Sequence, residues 1–592
     1  MSDRVSCGAL RAGDEGRAVE LNGWVNRRRD HGGLIFVDLR DHEGLTQIVF
    51  DPQHPSFAEA ERLRNEDVLR VRGAVRRRPA GTENPRLGTG DVEVEIRELE
   101  VLNRSQVPPF QVNSEEAVDE NLRLEYRYLD LRRPRLQNNL RMRHRIVKAM
   151  RDFFDSRDFL EIETPMMIKS TPEGARDYLV PSRLYPGHFY ALPQSPQLLK
   201  QILMIAGFGK YMQIARCMRD EDQRADRLVE FAQLDVELSF CTQDEVLEVM
   251  ESCMRYVWST VLGVELPPFP RLTHREALSK YGLDKPDLRF GLELADVTKI
   301  FGATEFGVFR SAIESGGAIV ALRYPGGAGL SRREFDALTE LAKQFGAKGM
   351  VWVALAAEGV KSSAARFLSE EQISSVRDAL AAQTNDALLL FADAPAVAYA
   401  VAGKMRNEVG DRCKLRDPDA YAFAWVTGFP YLEIDEETGA LMPAHHPFTA
   451  PAPGDWQLID REPTAMRAQH YDMVLNGYEL GSGSIRIHKA QEQRRIFEML
   501  GLTPQQIEER FGFFVRALEY GAPPHGGMAL GIDRIVMIAC NEANLREVTA
   551  FPKNQVARDV MMDAPSIVPE QLVRDLHLRL QQPAQESRSA SR

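Results

Sequence analysis

The chain has 592 residues, 44% of them hydrophobic and 27% charged, with a net charge of −12 at pH 7. This composition is ordinary for a globular protein of roughly three or four domains. No apolar run is long enough to cross a membrane, and no apolar signal segment precedes the first domain. The six cysteines are scattered without a Cys-x-x-Cys pair, which argues for reduced thiols in the cytoplasm and against a structural zinc site.

Residues 1–104 predict a small β domain, followed by a hinge at 105–140. Five segments alternate between apolar and polar residues, with a short helical stretch around 56–65. Five strands and one helix in this length are typical of a five-stranded OB barrel, a common oligonucleotide binder. Arginine clusters at 27–29 and 76–78 are compatible with a basic face that docks a phosphate backbone, and a solvated arginine face explains them equally well.

The rest of the chain predicts a central body interrupted by an insertion. An amphipathic helix begins near residue 141, and strands and helices then mix over 141–286. Residues 287–424 are richer in alanine and glycine and predict an inserted domain. Strands return over 425–555, and residues 556–592 form a C-terminal extension whose polar end is expected to be disordered.

A helix start carries the first candidate site residues. Ser195 and Pro196 precede an apolar periodic run, which predicts a helix with Ser195 as N-cap and an end at Gly207. Gln197 and Lys200 then lie in the first two turns, where the positive helix end favours an anion. An ordinary capped helix is the alternative explanation.

Residues 210–240 predict a long antiparallel hairpin around a charged loop. In its second strand one face is apolar, and the other carries Gln233, Asp235 and Glu237. An acidic and amide face suits the binding of an ammonium group, whereas an exposed sheet edge would explain the pattern without a ligand.

Asn476-Gly477, between two alternating runs, predicts a two-residue hairpin turn. The turn makes Asp472 the diagonal neighbour of Glu479 on one face. Two adjacent carboxylates repel each other unless a cation lies between them, and oxygen ligands suit Mg²⁺. Simple alternation puts Glu479 and Arg486 on opposite faces. A bulge within 481–483 would bring them together, and a structural glycine bend is the alternative.

Residues 525–537 combine glycines with an apolar helix. Glycines let the backbone approach a ligand closely. Arg534 lies at the start of the helix, where the helix end is already positive, so a fixed anion such as a phosphate chain would explain its position. No Gly-x-x-x-x-Gly-Lys-Ser/Thr sequence occurs, so any ATP site here differs from a P-loop.

The order and spacing of these segments resemble the class II aminoacyl-tRNA synthetases over nearly the whole chain. The segment around Pro165 is similar to motif 1, the dimer-forming element; Arg219-Asp220-Glu221 is similar to motif 2, and Gly531-Ile532-Asp533-Arg534 to motif 3. The N-terminal barrel resembles that of the aspartyl, asparaginyl and lysyl enzymes. The segments TPEGARDY, QSPQLLK and HHPF, with the long insertion, resemble the bacterial aspartyl enzymes.

The resemblance implies a multidomain α+β fold. It would comprise an OB β-barrel of five strands, a catalytic domain built on an antiparallel sheet flanked by helices, and an inserted α+β domain shared with an amidotransferase subunit. The implied activity is the ATP-dependent attachment of L-aspartate to tRNA through an aspartyl-adenylate, in a homodimer, with Mg²⁺ as the metal.

The resemblance also assigns roles to residues. Those implied to be catalytic are Arg219, Glu221 and Arg534. Those implied to bind aspartate are Glu173, Gln197, Lys200, Arg219, Asp235, His445, His446 and Arg486. Those implied to bind ATP are Arg219, Asp220, Glu221, Leu228, Glu479, Gly531, Ile532, Asp533 and Arg534, and those implied to bind the metal are Asp472 and Glu479. The family usually has Gln where this chain has Leu228, so a backbone contact with ATP is expected there.

In the barrel the resemblance implies anticodon contacts by Arg27, Arg29, His31, Phe36, Gln47 and Gly81. Phe36 is expected to stack on a base, which contributes ~1–3 kcal/mol. His31 and Gly81 resemble the type of enzyme that charges both tRNA(Asp) and tRNA(Asn) and leaves an amidotransferase to finish Asn-tRNA. A strictly tRNA(Asp)-specific enzyme is the alternative.

Other members of the same superfamily are less consistent with these residues. A lysine enzyme would need acidic groups where Lys200 and Arg486 stand, and an asparagine enzyme would leave those cations without an anionic partner. A non-catalytic RNA-binding paralogue usually lacks the motif 2 and motif 3 residues that this chain has. An ammonia-dependent asparagine synthetase of this fold lacks the N-terminal barrel.

Overall fold

The computed structural model describes residues 3–114, 116–171, 175–435 and 438–581. The chain forms two compact units, Met1–Gln137 with Val560–Met562, and Asn138–Asp559 with Asp563–Arg592. Glu173 and residues 582–592, which include the end predicted to be disordered, lie outside the described residues. In the described parts of the chain, no helix is long and apolar enough to span a bilayer.

The first unit contains a β-barrel. Its strands are β1 Asp3–Arg4, β2 Ala18–His31, β3 Leu34–Arg40, β4 Leu45–Phe50, β5 Val68–Arg77 and β6 Val92–Asn103. The sheet order is β1-β2-β3-β4-β6-β5, and pairing of β2 with β5 closes the barrel of five long strands. Alternate apolar residues of these strands fill the interior. The predicted OB β-barrel is therefore confirmed, with the two-residue β1 added at its edge.

Three short helices accompany the barrel: α1 Phe57–Ala60, α2 Glu120–Glu125 and α3 Arg127–Asp130. Helix α1 falls within the predicted helical stretch. The strands β2 and β3 meet at Gly32-Gly33, where φ is +60° and +80°. Two consecutive positive φ values are required by the tight turn, and glycine adopts them without a steric penalty.

Most arginines of the barrel clusters are ion-paired rather than free. Arg72 donates to Glu20 over 2.8 Å and to Glu98 over 3.0 Å, and Arg76 donates to Glu93 over 2.9 Å. These carboxylates come from strands that pair directly with β5. Arg72 and Arg76 are therefore largely neutralised within the barrel by carboxylates on adjacent strands, which disfavours the basic-face explanation for β5.

The strands that follow along the chain are β7 Leu160–Glu161, β8 Leu179–Pro181, β9 Phe189–Ala191, β10 Lys210–Met218, β11 Glu230–Ser239, β12 Arg271–Thr273, β13 Ala295–Asp296, β14 Ala318–Tyr324, β15 Val351–Ala356, β16 Gly359–Ser362, β17 Ala387–Asp393, β18 Phe423–Thr427, β19 Leu432–Ile434, β20 Leu441–Pro443, β21 His470–Leu475, β22 Tyr478–Ile485 and β23 His525–Gly531. The helices are α4 Pro134–Asp155, α5 Gln197–Ile205, α6 Gln243–Val257, α7 His274–Tyr281, α8 Gly307–Glu314, α9 Arg332–Gln344, α10 Glu370–Ala379, α11 Pro395–Arg412, α12 Ala490–Met499, α13 Pro504–Leu518, α14 Ile532–Ala539 and α15 Glu570–Asp575.

An eight-stranded sheet forms the centre of the second unit, in the order β12-β18-β21-β22-β23-β11-β10-β7. Its pairs are antiparallel except at the two margins, where β7 pairs with β10 and β12 with β18 in parallel. Helices α4, α6 and α14 contribute to the same core as the sheet. This architecture confirms the predicted antiparallel sheet flanked by helices.

Several element boundaries differ from the predictions. Helix α4 begins at Pro134, earlier than predicted, and β7 is only two residues long. The N-cap of α5 is Pro196 instead of Ser195, whose Oγ accepts a hydrogen bond from the Gln197 N–H over 3.3 Å. Pro196 has φ −79° and ψ +23°, so its ψ is not yet helical. The helix therefore begins at Gln197, one residue later than predicted.

The predicted hairpin is formed by β10 and β11, which pair from Lys210 opposite Leu238 to Met218 opposite Glu230. β23 pairs along the other side of β11, so the strand does not lie at an exposed edge, and α5 packs over its polar face, where Lys200 meets Asp235. Asp235 and Glu237 are both fully buried. Phe240 follows the end of the strand and is 79% exposed.

The hairpin of β21 and β22 turns at Asn476-Gly477, where both φ values are positive. Val474 pairs with Glu479 while Met473 pairs with Gly481, so Leu480 is an extra residue in β22. This bulge lies one residue before the segment where it was predicted. It resets the alternation, so that Glu479 shares a face with Asp472 and with the residues leading to Arg486.

Residues 287–424, predicted to be an insertion, contain a separate antiparallel sheet, β13-β14-β17-β15-β16, with α8 to α11 and two hydrophobic cores. Helix α11 packs closely on α7: a Cβ at Gly403 would lie 2.7 Å from the Tyr281 carbonyl oxygen. Arg406 of α11 is buried and donates to backbone carbonyl oxygens of residues 287–292. These contacts hold the start of the insertion against its last helix.

Candidate active site

A cavity of about 210 Å³ opens on the polar face of the eight-stranded sheet. Helix α5, the β10–β11 hairpin and the β21–β22 hairpin each contribute side chains to its wall. Of the residues expected to bind aspartate, those that line the cavity are Gln197, Lys200, Arg219, Asp235, His446 and Arg486. Residues separated by almost three hundred positions in sequence are thus brought together by the sheet.

Four charged side chains form a buried network, in which Lys200, Asp235 and Arg486 line the cavity and Glu237 lies behind them. Lys200 Nζ donates to Asp235 Oδ1 over 2.9 Å and lies 3.4 Å from Glu237 Oε2. Arg486 donates to Glu237 through Nε over 2.9 Å and through Nη2 over 3.1 Å. Burial raises the pKa of Glu237, but Arg486 and Lys200 outweigh that effect and hold it below its usual range. Glu237 is therefore an anion that fixes both cations.

Asp235 differs from Glu237 because its charge is only partly compensated. Its Oδ2 is buried and accepts no hydrogen bond from any described residue. Burial raises the pKa of Asp235 more than the nearby Lys200 lowers it. A cationic donor entering the cavity would satisfy this oxygen and favour the ionised carboxylate.

Two further polar atoms in the cavity wall are buried without a partner in the described part of the chain: Gln197 Nε2 and Arg219 Nε. The guanidinium of Arg219 lies 5.1 Å from the ring centre of Phe231, which holds it by a cation–π contact. Buried donors without a partner are rare in folded proteins, so a ligand that accepts hydrogen bonds fits this cavity.

His446 and His445 occupy different places. Arg486 Nη1 donates to His446 Nε2 over 2.8 Å and to Ser484 Oγ over 2.6 Å. His445 does not line the cavity, and its ring instead stacks on His470 with 3.4 Å between centres. Burial lowers the pKa of His446 well below its usual range and that of His445 to about 2, so both rings are neutral.

A second cavity of about 190 Å³ adjoins the first, and Arg219 and Glu221 line both. The other predicted nucleotide-binding residues that line it are Leu228, Glu479, Gly531, Asp533 and Arg534. Arg534 donates to the carbonyl oxygens of Glu479 and, over 3.0 Å, Asp226, while its Nε is buried without a partner among the described residues. Arg219, where the two cavities adjoin, and Arg534, in the second cavity, are two cations that suit the binding of a polyphosphate.

Three predicted nucleotide-binding residues have structural contacts instead. Asp220 lines neither cavity and lies 3.8 Å from Arg176. Ile532 is completely buried in the core. Asp533, although it lines the second cavity, accepts hydrogen bonds from Arg143 and from the Ala232 N–H. Asp533 lies at the start of α14, where the helix end favours an anion. Its bond with the Ala232 N–H joins this helix to β11.

Asp472 is buried, Glu479 is half-buried, and the two share one face of the β21–β22 hairpin. Burial raises the pKa of Asp472 well above its usual range, and burial together with Asp472 raises the pKa of Glu479. Across the described residues, no group of three or more His, Cys, Asp or Glu side chains is placed to hold a metal ion. Two carboxylates fit Mg²⁺, which commonly takes one or two carboxylates and completes its shell with water and substrate phosphates.

Five of the six barrel residues predicted to contact the anticodon lie on β2, β3 and β4, and Gly81 lies in the turn after β5. Phe36 is half-buried opposite Arg29, and Arg27 and His31 are exposed. The Gln47 amide is already satisfied, since its Nε2 donates to Glu93 over 2.7 Å and its Oε1 accepts from Arg29 over 3.2 Å. Gly81 has φ +86° and open space around it.

His470 is a site residue that the sequence predictions missed. It lines the first cavity, and its Nε2 lies 2.8 Å from Asp472 Oδ1. Strand alternation places His470 on the same face as Asp472, which was predicted to bind the metal. That shared face was the sequence signal that could have identified His470. Gln194 and Ser482 were also not predicted as ligand-binding residues and line the same cavity, as does Gln233 of the predicted polar face.

Comparison with protein families agrees with this geometry. A model described as class II tRNA synthetases (D, K and N) matches residues 119–555, well over half of the chain. The chain belongs to this family. A model of the OB-fold nucleic acid binding domain matches residues 19–102 of this synthetase.

Relatives of this synthetase span nearly its whole length. It is 52% identical to the aspartate–tRNA(Asp/Asn) ligase of Moorella thermoacetica, over 97% of this chain and 96% of that protein. It is also 52% identical to the enzyme of that name from Rubrobacter xylanophilus, over 99% and 98% of the two chains.

Solved structures show the same fold at low identity. The asparaginyl-tRNA synthetase of Pyrococcus horikoshii complexed with asparaginyl-adenylate superimposes with a TM-score of 0.58 at 19% identity, covering 93% of this chain and 98% of that one. The aspartyl-tRNA synthetase of Entamoeba histolytica gives a TM-score of 0.57 at 18% identity, covering 94% and 92%.

Proposed function

We propose that this synthetase joins L-aspartate to tRNA in two steps, through an aspartyl-adenylate formed from aspartate and ATP. The charges of the first cavity carry this proposal. Lys200, Arg486 and Arg219 line it as three cations, the carboxylates of Glu221 and Asp235 line it as well, and Glu237 lies behind Lys200 and Arg486. The cations can bind the two carboxylates of aspartate, and the free oxygen of Asp235 can bind its ammonium group.

Each group of the substrate has a counterpart in the wall. The free Oδ2 of Asp235 would accept the α-ammonium group, with the side chain of Gln197 beside it. Lys200 and Arg486 would hold the side-chain carboxylate, since Glu237 already fixes both cations. Arg219 lines both cavities and would hold the α-carboxylate where it meets the nucleotide.

This placement supports in-line attack of the α-carboxylate oxygen on the α-phosphorus of ATP, with loss of pyrophosphate. Arg219 would stabilise the negative charge on the α-phosphate, and Arg534 would hold the γ-phosphate in the second cavity. Glu221, which also lines both cavities, would help to hold the adenine end. The terminal ribose hydroxyl of tRNA then attacks the carbonyl carbon of the adenylate, and AMP leaves.

Asp472 and Glu479 would hold Mg²⁺ together with the phosphates of ATP. The ion supplies charge neutralisation of the phosphate chain when it is bound. The raised pKa values of the two carboxylates support this role, because burying two acids without a cation is unfavourable. Of the remaining predicted residues, Leu228 and Gly531 would contact ATP through the backbone.

The pocket would exclude asparagine and lysine by charge. Asparagine lacks the side-chain charge that Lys200 and Arg486 require, and a site of this kind rejects such an analogue by ~10⁴–10⁵-fold. Lysine would bring a third cation toward two buried ones.

We propose that the tRNA partners are tRNA(Asp) and tRNA(Asn), and that an amidotransferase converts the product on tRNA(Asn). The names of the relatives and the presence of His31 and Gly81 support this relaxed specificity. His31 is exposed and Gly81 has open space around it, so neither presents bulk that would exclude a different third anticodon base. The Phe36 side chain would stack on a neighbouring base.

We further propose that the enzyme acts as a cytoplasmic homodimer. Leu160, Met166 and Met167, which belong to the segment similar to motif 1, are 50%, 38% and 57% exposed. Apolar side chains clustered at the surface in this way support burial against a second copy. A dimer would be detected by sedimentation at micromolar concentration.

ATP–pyrophosphate exchange with each amino acid tests the activation step. Exchange with aspartate and none above background with asparagine or lysine is expected, and exchange with lysine alone would refute the proposal. Aminoacylation of purified tRNA(Asp) and tRNA(Asn) with aspartate tests the second step. Charging of tRNA(Asp) alone would leave the strictly specific enzyme as the function.

A further inference from the structure

His470 lies between the aspartate cavity and the paired carboxylates and contacts both. It is the first residue of β21, and only 5% of it is exposed. Its Nε2 is 2.8 Å from Asp472 Oδ1, and its ring lines the cavity that holds Lys200 and Arg486. Among the described residues, His470 gives the Asp472 side chain its hydrogen bond to that cavity wall.

The His470 ring also stacks on the ring of His445. The two rings are parallel within 5°, and their centres are 3.4 Å apart. Phe429 meets both rings edge-on, at 5.2 Å from His445 and 4.9 Å from His470. Burial lowers the pKa of His470 to about 3 and that of His445 to about 2, so two neutral rings stack without charge repulsion.

Two ring nitrogens remain available in this stack. His470 Nδ1 and His445 Nε2 are both buried, and neither has a hydrogen-bond partner in the described part of the chain. A histidine that served only to fill the core would normally have its nitrogens satisfied by the protein. Ordered water can satisfy them without any contact to the substrate.

We propose that His470 is a positioning residue that links aspartate binding to the metal carboxylates. Its Nε2–H orients the Asp472 carboxylate for a divalent cation, while its ring holds His445 beside the aspartate cavity. The hydrogen bond and the ring have separate effects, since they act on different neighbours. This inference rests on the proposed function. It identifies how the aspartate cavity is joined to the two metal carboxylates, Asp472 and Glu479.

Partners that orient metal ligands typically change metal affinity or activity by ~10–100-fold when removed. The donor and the ring can be removed separately. His470→Phe keeps an aromatic ring against His445 and removes the donor. His470→Gln removes the ring and keeps an Nε2–H the same number of bonds from the backbone.

The experiment measures two quantities in both variants: the KM for aspartate in ATP–pyrophosphate exchange, and the Mg²⁺ dependence of ATP binding by calorimetry without aspartate. H470F is expected to need ~10-fold more Mg²⁺ for half-maximal ATP binding, with the KM for aspartate within about twofold of wild type. H470Q is expected to show the reverse, a KM raised by ~2–10-fold with a near-normal Mg²⁺ requirement.

An unchanged Mg²⁺ requirement in H470F would overturn the proposal. Equal shifts of both quantities in both variants would also overturn it, because loss of core packing would not separate them. Thermal unfolding of each variant reports whether it folds. If H470F does not fold, H470L takes its place. H470L is then expected to need more Mg²⁺ than wild type for half-maximal ATP binding, and an unchanged requirement would overturn the proposal. Failure of the wild-type chain to exchange pyrophosphate with aspartate would refute the proposed function instead.

Discussion

The guanidinium of Arg486 and the carboxylate of Glu237 form a two-point ion pair, with Nε 2.9 Å from Oε1 and Nη2 3.1 Å from Oε2. Both side chains are almost completely buried, and Lys200 approaches the same carboxylate at 3.4 Å. Glu237 therefore places two cations in the cavity wall before substrate arrives, so little rearrangement is needed on binding.

Glu237→Gln is expected to destabilise the protein by ~3–5 kcal/mol, because it leaves the buried Arg486 without its charge partner. Urea unfolding of the two proteins measures the difference. Glu248→Gln, at an exposed position on α6, is the matched control and should change the free energy of unfolding by less than ~0.5 kcal/mol. A loss below ~1 kcal/mol in E237Q would contradict the role of Glu237 as the fixing anion.

Asp235→Asn is expected to raise the KM for aspartate. Truncating one partner of a buried charge pair costs ~2–5 kcal/mol, which corresponds to ~30-fold or more in affinity. The reason is the free Oδ2, which loses the charge that would bind the α-ammonium group. Pyrophosphate exchange at varied aspartate concentration measures the effect, with E248Q again as control. A lower kcat at unchanged KM would be inconsistent with this contact.

The sequence predicted the charged residues of the site better than their surroundings. Strand alternation placed Asp235 and Glu237 on one face, but their burial depends on α5, which packs over that face, and on β23, which pairs with β11 from almost three hundred residues away. The bulge at Leu480 was placed one residue too late. A side chain at Gly481 would collide with the Ala529 carbonyl oxygen, a restriction set by the neighbouring strand rather than by the local sequence.

Long-range contacts also explain the other differences. His470 was not predicted because its ring partner, His445, lies in a separate loop and adjacency in space is not visible in the sequence spacing. The barrel arginines were expected to present a basic face, but their carboxylate partners come from neighbouring strands. In each case local periodicity identified the face of the strand correctly, and tertiary pairing determined what that face contacts.

Removing a metal carboxylate is expected to stabilise the metal-free protein at high pH. Because folding raises the pKa values of Asp472 and Glu479, the folded state binds more protons than the unfolded state above the ordinary carboxylate pKa. Stability is therefore lost as the pH rises through the raised values. Asp472→Asn avoids this cost and should be more stable than wild type by ~1–3 kcal/mol at pH 8 in EDTA.

The difference between D472N and wild type should shrink as the pH falls, because both carboxylates of the wild type are then protonated. Mg²⁺ with ATP should stabilise the wild type more at pH 8 than at pH 6, since the cation competes with protons for the same oxygens. Chemical unfolding at several pH values measures both effects. A D472N variant that is less stable than wild type at pH 8 without Mg²⁺ would show that the two acids are compensated by the protein itself.

The turn at Asn476 is expected to depend on its side chain as well as on its backbone. Asn476 Oδ1 accepts from the Ala422 N–H and its Nδ2 donates to the Ala420 carbonyl oxygen, each over 2.9 Å, which ties the hairpin to the chain leaving the insertion. Asn476→Gly removes both bonds but tolerates the positive φ, so a loss of ~1–3 kcal/mol is expected. Asn476→Ala should lose a further ~1–2 kcal/mol, because alanine disfavours φ +54°. Equal unfolding free energies of the two variants would contradict the backbone contribution.

Phe36→Ala is expected to separate RNA binding from amino acid activation. Loss of stacking should weaken tRNA binding by ~1–3 kcal/mol, or ~5–150-fold in Kd, for both tRNA species. Pyrophosphate exchange should stay unchanged, because the residues that line both cavities belong to the second unit. Filter binding and exchange assays measure the two effects, and Phe36→Tyr, which keeps the ring, is the control. Unchanged tRNA affinity in F36A would contradict base stacking by Phe36, and an equal loss of affinity in F36Y would place its role in folding of the barrel.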